Sequence, residues 1–186
     1  MGFACEEDAR RVRAVLPKRF AKYGLTIHLD KTKLVPFERP SLALERTDET
    51  RREPPGTFDL LGFTHFWSRS RRGTWVVKRR TSRSRFSRGL RSLKEWFRVN
   101  RHLDPATQHQ TLRQKLTGHF AYYGITGNSV ALSRFRWSAV RLWRRSLSRQ
   151  RRDGAVPWDW FNRFLERYPL PPPTPIHSVY LQVARS

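Results

Sequence analysis

Cysteine, acidic residues and long apolar runs are all scarce in this chain. Among 186 residues there is one cysteine, Cys5, so neither a disulfide framework nor a cysteine zinc site of the usual spacing can form. Cys5 reads as a small apolar core residue. No stretch approaches the roughly 18 apolar residues of a transmembrane helix. The opening MGFACEEDARRV lacks the basic and apolar segments of a signal peptide, and Glu6 stands where a myristoylation signal wants Ser or Thr. These features predict a cytoplasmic protein with no membrane partner. The six histidines (His28, His65, His102, His109, His119 and His177) form no HxxxH or His–Cys pair with carboxylate support, so no metal site is expected. His119 instead reads as a hydrogen-bonded core histidine. No Walker loop, GxGxxG or Ser/His/Asp arrangement is present. Asp30 and Asp59 stand alone, and Glu6-Glu7-Asp8 suits the positive end of a helix better than a metal.

What is abundant is positive charge. Lys plus Arg number 38 against 15 Asp plus Glu, a formal net charge of +23. Arginine accounts for 31 of the 38 cations, and its planar fork suits bidentate phosphate contacts and stacking on bases. The charge is unevenly placed: residues 1–66 carry a net +2 and residues 67–186 a net +21. Over 67–103, 13 basic residues face Glu95 alone. So large an uncompensated charge points to a polyanion, nucleic acid before an anionic membrane surface. Aromatics at 13%, including seven Trp, disfavour a disordered basic tail.

Periodicity divides the chain. Ala9, Val12, Leu16, Phe20 and Tyr23 make one apolar stripe, predicting a helix over 7–23 that Gly24 ends and Pro17 kinks. LTIHL (25–29) and LVPF (34–37) are expected as short strands, 38–57 as loop, and 58–67 as a strand buried for most of its length. SRSRRG (68–73) is a turn that returns the chain as the strand TWVVK (74–78). From residue 82 the period becomes helical. Phe86, Leu90, Leu93 and Phe97 face inward, with Arg85, Arg88 and Arg91 outward. Asp104-Pro105 is a helix start leading to Leu112, Leu116, His119, Tyr123 and a stop at Gly124. Asn128 or Ser129 caps a helix over 129–150 with core residues Leu132, Phe135, Ala139, Leu142 and Trp143. Its opposite side carries Arg134, Arg141, Arg144, Arg145 and Trp137. A short helix over 158–168 and LPPPTP (170–175) follow, and regular structure is expected to end there. The fold class is therefore α+β: a small αβ part at 1–80, a basic helical bundle at 81–170 and a Pro-rich tail at 171–186. Trp67 and Trp75 flank the hairpin turn among Arg69, Arg71 and Arg72. Basic residues interleaved with aromatics suit single-stranded or irregular RNA, and packing is the alternative for each Trp.

The order DARRVRAVLPKRFAKYGLTIHLDKTKLVPF, FDLLGFTHFWSRSRRGTWVVKRRTSRSR, KLTGHFAYYGITGN and LPPPTPIH closely resembles the C-terminal half of group II intron reverse transcriptase/maturases. GLTIHLDKTK is similar to the end of the polymerase palm, FDLLGFTHF to the primer-grip hairpin, and the remainder to the helical thumb or maturase-specific domain. The resemblance implies an RNA-directed DNA polymerase family that binds intron RNA and the RNA–DNA template–primer duplex, with Mg²⁺ as cofactor of the full enzyme. It makes Lys31 or Lys33 the candidate general acid, and Leu61, Gly62 and Phe63 the primer-grip-like residues, with Gly62 allowing close backbone approach. The family's Tyr-Ala-Asp-Asp strand would precede Gly2-Phe3-Ala4 and does not occur here, nor does a zinc endonuclease domain. The expectation is a truncated member without cofactor or polymerase activity of its own. It could also be a stand-alone RNA-binding splicing module, or one half of a split enzyme joined in trans by an N-terminal half.

Overall fold

A computed structural model describes residues 2–28, 32–40, 56–151 and 154–177. It is an α+β protein in two compact units, residues 1–58 and 59–186. The hairpin expected beside the first helix belongs to the same unit as the helical bundle.

In the first unit helix α1 spans Glu6–Ala21, with Glu6, Glu7 and Asp8 in its first turn and i,i+4 pairs from Arg10 to Glu6 and Arg11 to Glu7. Cys5, just before it, is exposed and not part of the core. The helix runs through Pro17, whose ring lies on the exposed side where the freed carbonyl meets water. It ends at Ala21, two residues before the predicted end, with Lys22 as C-cap; Gly24 at φ +68° lets Leu25 N–H return to the Phe20 carbonyl. Of the predicted stripe Ala9 is buried and Val12 and Leu16 are half-buried, whereas Phe20 and Tyr23 are exposed. The strands expected at 25–29 and 34–37 are not formed: residues 25–28 and 34–37 carry no ladder, and Leu29 lies outside the described residues. A strand needs a paired neighbour to satisfy its amides, and alternation alone supplies none.

The expected single strand at 58–67 is two strands, β1 (Phe58–Leu60), which begins at the last residue of the first unit, and β2 (Phe63–Arg69), followed by β3 (Trp75–Thr81), in sheet order β1-β2-β3. The break is the pair Leu61-Gly62, with φ of +50° and +83°; positive φ at both central residues is the signature of a two-residue hairpin turn. The pattern of β2 is half-buried rather than buried. β2 and β3 pair antiparallel from Phe63 opposite Thr81 to Arg69 opposite Trp75, so β3 extends three residues beyond the predicted end.

Four helices follow: α2 (Arg83–Val99), α3 (Pro105–Tyr123), α4 (Ser129–Gln150) and α5 (Trp158–Arg167). Asp104 caps α3 as predicted, accepting from the Ala106 and Thr107 amides. The core joins Leu93 and Phe97 of α2, Leu112, Leu116 and Phe120 of α3, and Leu132, Phe135, Ala139, Val140, Trp143 and Leu147 of α4, with Val156, Phe161 and Leu170 sealing it. Gly89 permits the close approach of α2 to α4: a Cβ there would meet the Phe135 ring at 3.0 Å.

Two buried amides tie the bundle together. Gln108, fully buried, donates to the Leu103 carbonyl at 2.9 Å and accepts from the Trp143 indole at 3.0 Å, joining the α2–α3 turn to α4. Asn128 holds the N-cap position of α4 but makes no capping bond. Its Oδ1 accepts from the Thr81 amide (2.9 Å), and its Nδ2 donates to Thr81 Oγ1 (2.8 Å) and the Tyr123 carbonyl (2.9 Å). One side chain thus joins the end of β3, the end of α3 and the start of α4.

The chain past α5 does not trail away. Arg136 Nε donates to the Pro171 carbonyl, the His109 ring bonds the Pro169 carbonyl, and the amides of Ile176 and His177 both donate to the Gly124 carbonyl. Ile125 and His177 form a parallel bridge, so regular pairing continues beyond the expected end at 175. The extended prolines, already restricted in φ, lose little freedom on docking.

Candidate nucleic-acid interface

The outer faces of α2 and α4 bring the predicted arginines together in two groups. On α2, Arg85, Arg88 and Arg91 are all exposed, as are Arg83 and Lys94. Glu95, the acid on this helix, is already engaged by Arg98 at 2.6 Å, and that contact holds its carboxyl below the ordinary range. It therefore neutralises little of the neighbouring charge. On α4, Arg134, Arg141 and Arg145 are exposed at i, i+7 and i+11, which falls on one side of a helix of 3.6 residues per turn. Their Cα atoms rise along about 16 Å of helix axis, at ~1.5 Å per residue. A phosphate backbone laid along this stripe would meet a cation about once per helical turn or two.

Arg144, expected on the same face, is a structural residue. Its Nη1 donates to the Val156 carbonyl and its guanidinium lies 4.2 Å from the Trp158 ring centre. Position 144 lies at the edge of the buried side of α4, and its contacts turn it toward α5 rather than outward. Trp137 shares that edge: it is stacked on Trp158 at 5.4 Å and 9° yet stays 52% exposed. Trp137 thus packs on α5 through Trp158 while about half of its side chain stays open to solvent.

At the β2–β3 hairpin, Arg71 and Arg72 project from the turn and are exposed. Arg69 is engaged locally, donating to the Gly73 carbonyl at 3.1 Å with its guanidinium 5.1 Å from the Trp75 ring. Trp67 and Trp75 are half-buried on the strands and serve packing first.

Leu61 and Gly62 form the rim of a cleft of about 390 Å³ completed by Arg85, Gly118, His119, Tyr122 and Tyr123; Phe63, the third residue of the predicted group, does not line it. Tyr122 Oη donates to the Leu61 carbonyl at 2.8 Å, Phe63 stacks on the Tyr122 ring at 5.9 Å, and the Ser82 amide donates to the Gly62 carbonyl. A Cβ on Gly62 would meet Tyr123 Oη at 3.0 Å, so this glycine is required twice, by its φ and by the approach of a phenol. His119 is stacked on Phe135 at 3.6 Å and 7°. Its Nε2 has no partner among the described residues, in contrast to the hydrogen bond expected of it, and burial pushes its pKa down to about 4. Burial also raises the Tyr123 phenol. At neutral pH the cleft is therefore lined by uncharged rings with one cation, Arg85.

No family model matches the chain. Nor does any curated protein or solved structure match it. The functional reading accordingly rests on the residues themselves.

Lys33 is exposed on an extended segment, and Lys31 lies outside the described residues. Among the described residues no three His, Cys, Asp or Glu side chains converge, and the Asp59 carboxylate accepts from the Thr64 hydroxyl. These residues do not fit a two-Mg²⁺ site, which needs several carboxylates on one pair of ions. Among them no helix is long and apolar enough to cross a membrane. Tyr122 and Trp158 are the contributors that periodicity missed. The signal for the first was the Tyr122-Tyr123 pair at a helix end, and for the second an aromatic directly after Pro157 at a helix start.

Proposed function

We propose that this chain is an RNA-binding module of the group II intron reverse transcriptase/maturase type. In this reading it corresponds to the palm's end and the helical thumb, holds intron RNA and template–primer duplex, and performs no polymerase chemistry by itself. The observation that carries the nucleic-acid part is the exposed arginine surface of α2, α4 and the hairpin turn, where Glu95 is already paired. Such a surface releases condensed counterions when it meets phosphates, which supplies affinity without a shaped pocket. The family part rests on the ordered sequence segments and on the Leu61-Gly62 turn seated over Tyr122 and Tyr123.

The test is binding by the purified chain across a salt titration, comparing a group II intron transcript with an unrelated structured RNA. Tight, salt-resistant preference for the intron is the expected result. Weak, equal binding erased by salt would leave only electrostatics and overturn the maturase reading. DNA synthesis on a primed RNA template would refute the assignment of no polymerase chemistry.

A second reading, one half of an enzyme completed in trans, is favoured by the first unit. Among its described residues Phe3, Val15, Phe20, Tyr23, Leu25 and Val35 are exposed, apolar side chains that a partner would cover. Co-expression with a fingers-and-palm half should then yield a stable complex; failure to co-purify would reject it.

A further inference from the structure

Trp158 of α5 takes two neighbours from α4: the Arg144 guanidinium lies 4.2 Å from its ring centre, and the Trp137 ring is stacked on it at 5.4 Å and 9°. The stack is anchored at its inner end, since Arg144 is bonded to the Val156 carbonyl and Trp158 packs edge-on against the fully buried Phe161. Its outer end is the far face of Trp137. No other ring or cation covers that face among the described residues, and the side chain remains 52% exposed. The exposed Arg134 and Arg141 stand one turn before and one turn after it on the same helix.

We propose that the outer face of Trp137 is a stacking platform for one unpaired nucleobase, with Arg134 and Arg141 holding the phosphates on either side. The proposal rests on the nucleic-acid reading and narrows it to single-stranded segments. Three features select this occupant. The flat face offers no hydrogen-bond donor pattern, so it suits any base by its π surface. The flanking charge is positive on both sides, matching a strand whose base is turned inward between two phosphates. The ring is already held by Trp158, so stacking costs little ordering. A base inside a duplex has both of its faces covered by neighbours and cannot use the platform; only the two end pairs of a blunt duplex show a free face.

The test uses the full chain and two probes with equal numbers of phosphates: a single-stranded oligoadenylate carrying 2-aminopurine, and a blunt RNA duplex. Trp137→Ala should weaken single-strand binding by about tenfold, the scale of one lost base–aromatic stack, and should abolish the 2-aminopurine quench. Duplex binding should stay within about twofold, a change too small to represent a lost stack. Trp137→Phe keeps a ring on the same support and should recover most of the single-strand affinity; a thermal melt checks that both variants fold. Trp160→Ala removes another exposed Trp, one that is stacked on Phe164, and should change neither probe. Wild-type single-strand affinity with the quench intact in Trp137→Ala would overturn the platform, whether the face is bare or covered by a protein partner. Equal loss on the duplex, or an equal effect of Trp160→Ala, would do the same. If the unaltered chain binds neither probe, the nucleic-acid reading itself falls; if it binds both and only Trp137 is silent, the platform alone falls.

Discussion

Asn128→Ala should be among the most destabilising single substitutions on this chain. The Asn128 side chain is 1% exposed and makes three hydrogen bonds, to the Thr81 amide, the Thr81 hydroxyl and the Tyr123 carbonyl. Each buried bond contributes about 1 kcal/mol net, and a buried backbone donor left without a partner costs ~1–3 kcal/mol. The Thr81 amide becomes such a donor, because the Ala side chain cannot accept and Thr81 is itself buried. The Thr81 hydroxyl can rotate toward another acceptor, which limits its share. The expected loss is therefore about 3–4 kcal/mol. That corresponds to a fall of roughly 10 °C in melting temperature for a unit of this size. Urea unfolding followed by tryptophan fluorescence reads it directly, since Trp143 lies in the same core. Asn128→Asp sharpens the test. It preserves shape and the acceptor for Thr81, but it replaces the donor facing the Tyr123 carbonyl by a second oxygen. It should be at least as destabilising at neutral pH and should recover on acidification, when the protonated carboxyl can donate again. A loss under about 1 kcal/mol for Asn128→Ala, or an Asn128→Asp variant indifferent to pH, would refute the claim that this amide joins the sheet to the bundle.

Other outcomes follow from the same contacts. The His119 imidazole has its pKa lowered from 6.5 to about 4 by burial, so the folded state prefers it neutral. Its contribution to stability is full above pH 6.5 and is lost as pH falls from there toward 4; His119→Phe should flatten unfolding free energy across that window, and an unchanged slope would refute the assignment. Glu95 and Asp104, lowered from ordinary values of 4.5 and 3.8, lose their contributions from those values downward, so only Glu95 overlaps the acid end of the window. Gly62→Ala puts a Cβ at φ +83° and 3.0 Å from Tyr123 Oη and should cost about 1–2 kcal/mol from backbone conformation alone; a thermal melt equal to wild type would show that the turn relaxes freely. Arg144→Ala should lower stability by about 2 kcal/mol through the lost Val156 bond and the cation over Trp158. Arg134, Arg141 and Arg145 changed together to Ala should instead leave stability unchanged and reduce the slope of log affinity against log salt by roughly 2. The reverse pattern would mean that the two roles have been exchanged.

The helices were legible because their signals are local. Asp104-Pro105 placed the start of α3, and Leu93, Phe97, Leu112, Leu116, Leu132 and Phe135 fell at helical spacing and are buried. The hairpin between β2 and β3 was legible for the same reason, as two apolar runs joined by a polar turn. Net charge, set by composition alone, pointed to a polyanion before any element was placed. Three-dimensional partners decided the rest. LTIHL and LVPF alternate as strands do, yet without a paired neighbour residues 25–28 and 34–37 form none. Gln108 continues the Leu112 and Leu116 stripe by one turn although its amide is polar; the Leu103 carbonyl and the Trp143 indole make its burial favourable. Arg144 and Arg145 are adjacent in sequence and alike in chemistry. Only the position of α5 makes the first a tie to Val156 and Trp158 and leaves the second exposed to solvent. Residue type and spacing determine which face of a helix can be buried, while the identity of a polar residue's partner is a property of packing across distant segments.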